Sequence, residues 1–446
     1  MRVTYFNEKR WFVGIITQMK MVSNGDDSGN MVRRDNNTDD RVRNEKNNEV
    51  EEDTSLPSSI PKYTKIHKVY FKIMGLTILT FGFLGNVVSS VDSLPYEAIF
   101  KFGDSISDTG NAMAFHCDHP MPSDSPYGST YFKHPAGRLS NGRLIVDFIA
   151  EAYGLPFLPA VKTLTKDQDY IRKGVNFAVA GSTALEESFF TNHGVMVPAT
   201  NNSLNVQLVW FKELKSSLCK NIEECDVYFK KSLFLVGEIG GNDVIQYAFS
   251  QKTITEIRKI VPIIVEAIAN TTSALIEEGA IELVVPGNFP IGCNAAFLTM
   301  VNSKKKEDFD EFGCLIAYNN LVEYFNEQLK NALKTLQQKN SQVKIIYFDY
   351  YNDAKHLYQA PQQYGFTSDK NEILKACCGL DGPYNVNFNI PCGGLGTKVC
   401  SNTSKLINWD GAHLTEVAYR MIAKGLVEGP FANPSLQTPP FKLAYK

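Results

Sequence analysis

The side chains best suited to chemistry stand in two stretches that are far apart in the chain. Ser105 lies in FGDSISDTGN, residues 102–111, directly after an apolar run. Asp410 and His413 lie in WDGAH, residues 409–413, where their spacing can bring carboxylate and imidazole to the same side of one turn. A neutral imidazole can accept the proton of a serine hydroxyl while a carboxylate fixes its tautomer. The pattern therefore predicts an acyl-transfer triad with Ser105 as nucleophile.

Acyl transfer also needs hydrogen-bond donors where the tetrahedral oxyanion develops. The candidates are the backbone N–H groups of Ser105 and Gly181 and the side-chain amide of Asn242. Three polar side chains near the serine are expected to support its turn, namely Asp104, Asp108 and Asn111. No Gly-x-Ser-x-Gly elbow surrounds Ser105, which argues against the lipase-type α/β-hydrolases.

The elements that must position these residues alternate between strand-like and helix-like segments. Apolar runs with the length of buried parallel strands lie at residues 98–102, 175–179, 233–236, 281–285 and 343–348. Apolar residues recur at a helical period around residues 257–268 and 325–336. This alternation predicts one α/β layered domain with a mainly parallel sheet. Ser105, Gly181 and Asn242 follow three of the strands, so they should meet in one crevice at the carboxyl ends.

Two other motifs invite a different interpretation. The cluster His116-Cys117-Asp118-His119 has metal-binding side chain types, but they are adjacent rather than spaced as ligand pairs, so we predict no metal site there. The stretch Gly393-Gly394-Leu395-Gly396 follows no strand and is interpreted as a loop rather than a phosphate cradle. We expect no cofactor.

The amino-terminal part differs from the rest of the chain. Residues 21–53 contain ten Asp or Glu, five Lys or Arg and seven Asn, with no Phe, Tyr, Trp, Leu or Ile, and we predict that residues 1–66 are a disordered leader. Residues 67–93 pass from basic to apolar to small residues, the order of a signal peptide. An uncleaved anchor remains the alternative. The folded domain is predicted to cover residues 94–446.

Cysteines and sequons agree with export. All nine cysteines follow the proposed cleavage point, and the odd count leaves at least one without a partner in the chain. Cys219 and Cys225 flank a polar loop and predict a local bridge. A cluster predicted to staple a Gly-rich loop, with its pairing left open, consists of Cys377, Cys378, Cys392 and Cys400. Glycosylation sequons begin at Asn201, Asn270 and Asn402.

Together the motifs resemble the conserved blocks of the GDSL esterases and lipases of the SGNH hydrolase superfamily. The matching stretches, in the family's order, are FGDS at 102–105, DTGN at 108–111, GVNFA at 174–178, GGND at 240–243 and DGAH at 410–413. GRLSNGR at 137–143 and CCG at 377–379 are similar to the plant branch, and the chain looks most like its early-nodulin-like and acetylesterase-like members. Ser182 departs from the family, which is expected to have Ala there.

The resemblance implies a flavodoxin-like three-layer α/β/α fold and cofactor-free serine ester hydrolysis by the residues already singled out. Acetyl or other short acyl esters of small molecules or glycans are the substrates it suggests. An acyltransferase on the same scaffold, or an idle carbohydrate-binding or wall glycoprotein, remain alternatives. We expect a monomer in the cell wall or apoplast, with no stable membrane association once the signal is cleaved. The formal charge of −3 argues against a nucleic-acid partner.

Overall fold

The computed structural model describes residues 94–115, 124–165 and 167–443. The predicted leader at residues 1–66, the signal peptide or anchor at residues 67–93 and the cluster at residues 116–119 lie outside the described residues. Everything below concerns the described part of the chain.

A six-stranded sheet forms the centre of the domain, and the first five of its strands are parallel. The strands in chain order are β1 Ala98–Phe102, β2 Gly174–Asn176, β3 Ser232–Val236, β4 Glu282–Pro286, β5 Lys344–Phe348, β6 Cys378–Gly379, β7 Lys398–Val399 and β8 Ala432–Asn433. The sheet order is β2-β1-β3-β4-β5-β8, with β8 antiparallel to β5, and β6 pairs with β7 separately. The order 2-1-3-4-5 is that of flavodoxin-like sheets, so the predicted fold class is confirmed.

Helices connect the strands. They are α1 Asn111–Phe115, α2 Ile145–Ala152, α3 Gln168–Ile171, α4 Glu187–Asn192, α5 Leu204–Leu218, α6 Ile222–Phe229, α7 Gly241–Phe249, α8 Ile254–Glu277, α9 Ala295–Val301, α10 Ile316–Lys339, α11 Tyr350–Gln359 and α12 Glu416–Val427. Single 3₁₀ turns lie at Val161–Thr163, Ile291–Cys293, Lys306–Asp308, Pro361–Tyr364, Pro383–Asn385 and Thr403–Lys405. The two helices expected from the apolar periodicity are α8 and α10, which pack against each other.

The sheet is covered by helices on both faces. On one face, Phe100 of β1 meets Phe211 of α5 and Phe229 of α6, with ring centroids 5.5 and 5.8 Å away. On the other face, Leu235 of β3 faces side chains of α2, α11 and α12 across a small void. Successive strand residues point to opposite faces, so both sets of side chains are buried and the strands are apolar throughout. The result is a three-layer α/β/α domain.

One strand differs from the sequence expectation. β2 ends at Asn176, although the apolar run continues to residue 179. The Asn176 side chain accepts a hydrogen bond from Ala178 N at 2.8 Å and donates one to Ser107 O at 2.6 Å, so the chain leaves the strand into a turn. Helix α8 is long and apolar enough to cross a membrane by length and composition. It packs here between α5 and α10.

Four disulfides close loops in the described residues. Cys219 pairs with Cys225, as the sequence predicts, and Cys293 pairs with Cys314, which the sequence analysis did not name. The predicted cluster forms two bridges, Cys377–Cys400 and Cys378–Cys392. The ninth cysteine, Cys117, lies outside the described residues.

Candidate active site

The turn after β1 presents Ser105 to solvent while its neighbours are buried. The Asp104 carbonyl accepts from Ser107 N at 3.1 Å and from Asp108 N at 3.0 Å, which closes the turn. Gly103 has φ of +148°, and a Cβ there would lie 2.8 Å from the Glu238 carbonyl oxygen. A side chain at this position would therefore push the tips of β1 and β3 apart. The partly exposed Ser105 sits on a turn that the sheet holds in place.

Asp108 and Asn111, the predicted supporting residues, tie this turn to the end of β2. The Asp108 carboxylate accepts from four backbone N–H groups at 2.6–3.0 Å, those of Gly110, Asn111, Ala112 and Ala180. Burial raises the pKa of Asp108, and these hydrogen bonds oppose the rise. The Asn111 amide donates to the carbonyls of Asn176 and Ala178, both at 2.9 Å. The serine turn and the residue before Gly181 are thereby held at a fixed separation.

The three residues predicted to donate to the oxyanion all line one cavity. Neither the Ser105 nor the Gly181 N–H donates to an acceptor within the described residues. The Asn242 amide, on the first turn of α7, donates to the Ser182 carbonyl at 2.8 Å and to the Asp104 carboxylate at 3.3 Å. The hydroxyl of Ser182 donates to the Asn202 carbonyl at 2.6 Å, so it is occupied elsewhere. The backbone N–H groups of Ser105 and Gly181 are therefore available to an acceptor in the cavity, whereas the Asn242 amide already donates to two protein acceptors.

Asp410 and His413 form a buried pair on the loop before α12. His413 Nδ1 lies 2.8 Å from Asp410 Oδ2, and the side chains are 7% and 5% exposed. Asp410 Oδ1 accepts from the backbone N–H of His413 at 2.9 Å, so one turn fixes both residues. Burial by itself raises the pKa of Asp410, but the charge and hydrogen bonds of His413 and the Tyr127 hydroxyl lower it to about 2. Asp410 is therefore a carboxylate at working pH, and it orients the imidazole.

One cavity of about 170 Å³ joins the candidate residues from different elements. Ser105, Gly181, Asn242 and His413 all line it. Most of the remaining wall is apolar, from side chains that include Met113, Leu139, Ile245, Phe289, Ile291 and Phe297. The Ser105 hydroxyl makes no hydrogen bond to any described residue. Ser105 and His413 thus line one largely apolar pocket without a direct hydrogen bond between their side chains.

Buried ionisable groups lie next to the serine turn. Burial lowers the pKa of Lys101 to about 7, and burial raises the pKa of Asp104 to about 7. Burial and then the charge of Asp104 raise the pKa of Glu238 well above its usual range. Lys101 Nζ donates to the carbonyl of Gly237, the residue directly before Glu238. Glu238 therefore keeps its proton near neutral pH, and the charges of Lys101 and Asp104 have opposite signs, so the net charge of these three groups is small there.

Several positioning residues could not be recognised from the sequence. Buried Gln207 of α5 accepts from Gly103 N at 2.9 Å and donates to Gly103 O at 2.8 Å. Arg138 donates to the Thr109 carbonyl at 3.1 Å while its guanidinium pairs with buried Asp147 at 2.8 Å. No local spacing links these residues to Ser105, so only the fold identifies them.

The segment GRLSNGR, used above only as a mark of resemblance, joins the serine turn to the histidine loop. The Ser140 hydroxyl donates to the Leu414 carbonyl at 3.0 Å, and Asn141 Oδ1 accepts from Glu416 N at 2.7 Å. Arg143 pairs with the Glu416 carboxylate at 2.7 Å. The chain directly after His413 is therefore held by this segment. Within the described ranges, no group of three or more His, Cys, Asp or Glu side chains is placed to hold a metal ion.

Known proteins match this chain over most of its length. The GDSL-like Lipase/Acylhydrolase family model matches residues 99–426. GDSL esterase/lipase At5g45910 of Arabidopsis thaliana is 48% identical over 372 residues, covering 82% of this chain and 99% of the relative. GDSL esterase/lipase At1g28610 of the same plant is 43% identical over 356 residues, covering 79% and 91%. The chain therefore belongs to the family of GDSL esterases and lipases, which are carboxylic ester hydrolases.

Proposed function

We propose that the protein is a secreted serine esterase that removes short acyl groups, such as acetyl, from small-molecule or glycan-linked esters. The observation that carries the proposal is the single cavity lined by Ser105, Gly181, Asn242 and His413, with Asp410 bound to the far side of His413. These residues supply a nucleophile, a base, the partner of the base and donors for an oxyanion. Together they meet the requirements of acyl transfer through a covalent intermediate.

In the proposed acylation step, the Ser105 oxygen attacks the ester carbonyl carbon while His413 Nε2 takes the serine proton. Asp410, bound to Nδ1, stabilises the imidazolium that forms. The N–H groups of Ser105 and Gly181 bind the carbonyl oxygen as it becomes negative. His413 then gives the proton to the departing alcohol. Water hydrolyses the acyl-Ser105 through the same groups, which returns the free enzyme.

Substrate binding is expected to adjust two contacts. The 3.3 Å contact of Asn242 with Asp104 is the weaker of its two hydrogen bonds, so this N–H is the one that turns to the oxyanion. The Ser105 hydroxyl, which has no partner among the described residues, then closes on His413. Catalytic hydrogen bonds commonly tighten only in the substrate complex.

The size and lining of the cavity support a short acyl group. A cavity of about 150 Å³ lined by apolar side chains holds one benzene molecule, and this one has about 170 Å³. An acyl chain of up to about six carbons fits such a volume. Longer chains would leave apolar carbons in water beyond the walls, at a cost of about 0.8 kcal/mol per exposed CH₂.

Export is supported by the four disulfides, which persist in oxidising compartments. The sequon residues Asn201, Asn270 and Asn402 are all exposed. A tagged chain expressed in plant cells should yield a glycosylated extracellular product that begins near residue 90. A membrane-bound product that still carries the leader would contradict cleavage.

Ser105→Ala tests the catalytic proposal. We expect the folded wild type to react with a fluorophosphonate probe and to hydrolyse p-nitrophenyl esters, fastest for acyl chains of two to six carbons. Ser105→Ala should remain unlabelled and lose about 10³-fold or more in kcat. Ser216→Ala, an exposed hydroxyl outside the cavity, is the matched control and should behave as wild type. Unchanged labelling of Ser105→Ala would refute the mechanism, and a preference for long chains would refute the acyl assignment alone.

A further inference from the structure

Tyr127 contacts the acidic residue of the candidate triad from a distant part of the chain. Its hydroxyl donates to Asp410 Oδ2 at 2.6 Å, and the residue is 2% exposed. The ring packs edge-to-face against Trp409 with centroids 5.9 Å apart. It belongs to a small apolar cluster that also contains Cys377, Cys378 and Cys392. A phenol held so tightly cannot swing away from the carboxylate.

The hydrogen bonds of Asp410 divide between its two oxygens. Oδ1 accepts from the backbone N–H groups of Ala412 and His413, at 3.0 and 2.9 Å, within its own turn. Oδ2 accepts from Tyr127 and lies 2.8 Å from His413 Nδ1, which is also 3.0 Å from Oδ1. Within the described residues, Tyr127 is the only donor to this carboxylate from outside residues 410–413.

The loop that contains Cys377 and Cys378 also supports the segment before Asp410. Cys377 N donates to the Asn408 carbonyl at 3.0 Å, and Cys378 N donates to the Trp409 carbonyl at 2.7 Å. The backbone directly before Asp410 is therefore paired with a loop that two disulfides cross-link. Tyr127 packs on that same cluster, so the phenol and the carboxylate share one rigid support.

We propose that Tyr127 is a positioning residue for the triad, which holds the Asp410 carboxylate in the rotamer that orients His413. This inference rests on the proposed function, since it assigns a role in that same site. Burial and the neighbouring Asp410 raise the pKa of Tyr127 well above its usual range, so the phenol stays a donor throughout the working range. By donating to Oδ2 it also draws carboxylate charge away from His413.

Tyr127→Phe removes the donor and keeps the ring. Loss of one hydrogen bond to a charged group predicts a fall in kcat of about tenfold to a hundredfold, with KM little changed. Without the phenol proton, the carboxylate charge holds the imidazole proton more tightly, so the acid limb of the kcat/KM profile should move to higher pH. Two other titratable groups interact electrostatically with the Asp410–His413 pair: Asp104 interacts with His413, and Tyr419 interacts with Asp410. Tyr127→Phe leaves both of them in place.

The matched control is Tyr153→Phe, which deletes another buried hydroxyl with a 2.6 Å hydrogen bond, here to the Gln437 carbonyl. Tyr153 does not line the cavity, so its variant should keep the wild-type rate and pH profile. A double-mutant cycle with Asp410→Asn gives the sharpest test. If Tyr127 acts through Asp410, Tyr127→Phe should cost less than about twofold once Asp410 is replaced.

Rates are normalised to sites titrated by the fluorophosphonate probe, so that misfolded protein is not counted. A slow Tyr127→Phe enzyme with a shifted acid limb and a non-additive cycle supports the inference. A Tyr127→Phe enzyme with wild-type kcat and pH profile overturns it, as does a full additive loss in the Asp410→Asn background. Neither of these results would contradict the proposed function. The result that would contradict the proposed function is a Ser105→Ala variant that is still active and still labelled by the probe.

Discussion

Asp353 carries a buried carboxyl whose ionisation the fold opposes. It lies on α11, is 5% exposed, and its Oδ2 has no hydrogen-bond partner within the described residues. The carboxyl packs against α12, where a Cβ on Gly425 would come within 1.9 Å of Oδ2. Burial, and then the charge of Asp349, raise the pKa of Asp353 from 3.8 to about 9. Replacing Asp353 by Asn keeps the shape of the neutral acid and removes the titration.

The sign and size of the effect follow from proton linkage. The folded state keeps a proton that the unfolded chain releases above pH 3.8, so the contribution of Asp353 to stability is complete below that pH and is lost as pH rises toward 9. The slope is about 1.4 kcal/mol per pH unit. Asparagine does not titrate. The free energy of unfolding of Asp353→Asn minus that of wild type should therefore grow by about 4 kcal/mol between pH 5 and pH 8.

Urea unfolding at pH 5, 6, 7 and 8, with the disulfides intact, measures this difference directly. Asp381→Asn, at an exposed aspartate, is the control and should run parallel to wild type at every pH. Asp353 does not line the cavity, so esterase activity should persist in the variant. If the stability difference between Asp353→Asn and wild type stays constant from pH 5 to pH 8, the conclusion that the buried Asp353 carboxyl is neutral in the folded state is wrong.

Two further substitutions test the supports of the cavity. The Asp108 carboxylate accepts hydrogen bonds from four backbone N–H groups, and Asp108→Asn places an amide NH₂ against two of them. The free energy of unfolding measured in urea should therefore fall by about 2–6 kcal/mol. Wild-type stability would mean that the carboxylate is dispensable. Asn242→Ala removes one oxyanion donor and should lower kcat by about 10²–10³-fold with KM nearly unchanged. An unchanged kcat would remove Asn242 from the oxyanion hole.

The features that the sequence predicted correctly depend on residues that are close together in the chain. Apolar runs of strand length predicted β1, β3, β4 and β5 within two residues of their observed bounds, because buried parallel strands are apolar on both faces. The three-residue spacing of Asp410 and His413 predicted their pairing, because one turn suffices to make it. The bridge between Cys219 and Cys225 closes a loop short enough to predict in the same way.

What only the tertiary structure decided depends on residues that the chain order keeps apart. Tyr127 and Asp410 are 283 positions apart, and Gln207 and Gly103 are 104 apart. Their contacts exist because the strand order brings the segments that carry them together, and no local pattern records that order. The sharing of Asn242 between Ser182 and Asp104 was hidden for the same reason. Local periodicity and turn chemistry therefore placed the catalytic candidates, whereas long-range packing selected the residues that hold them.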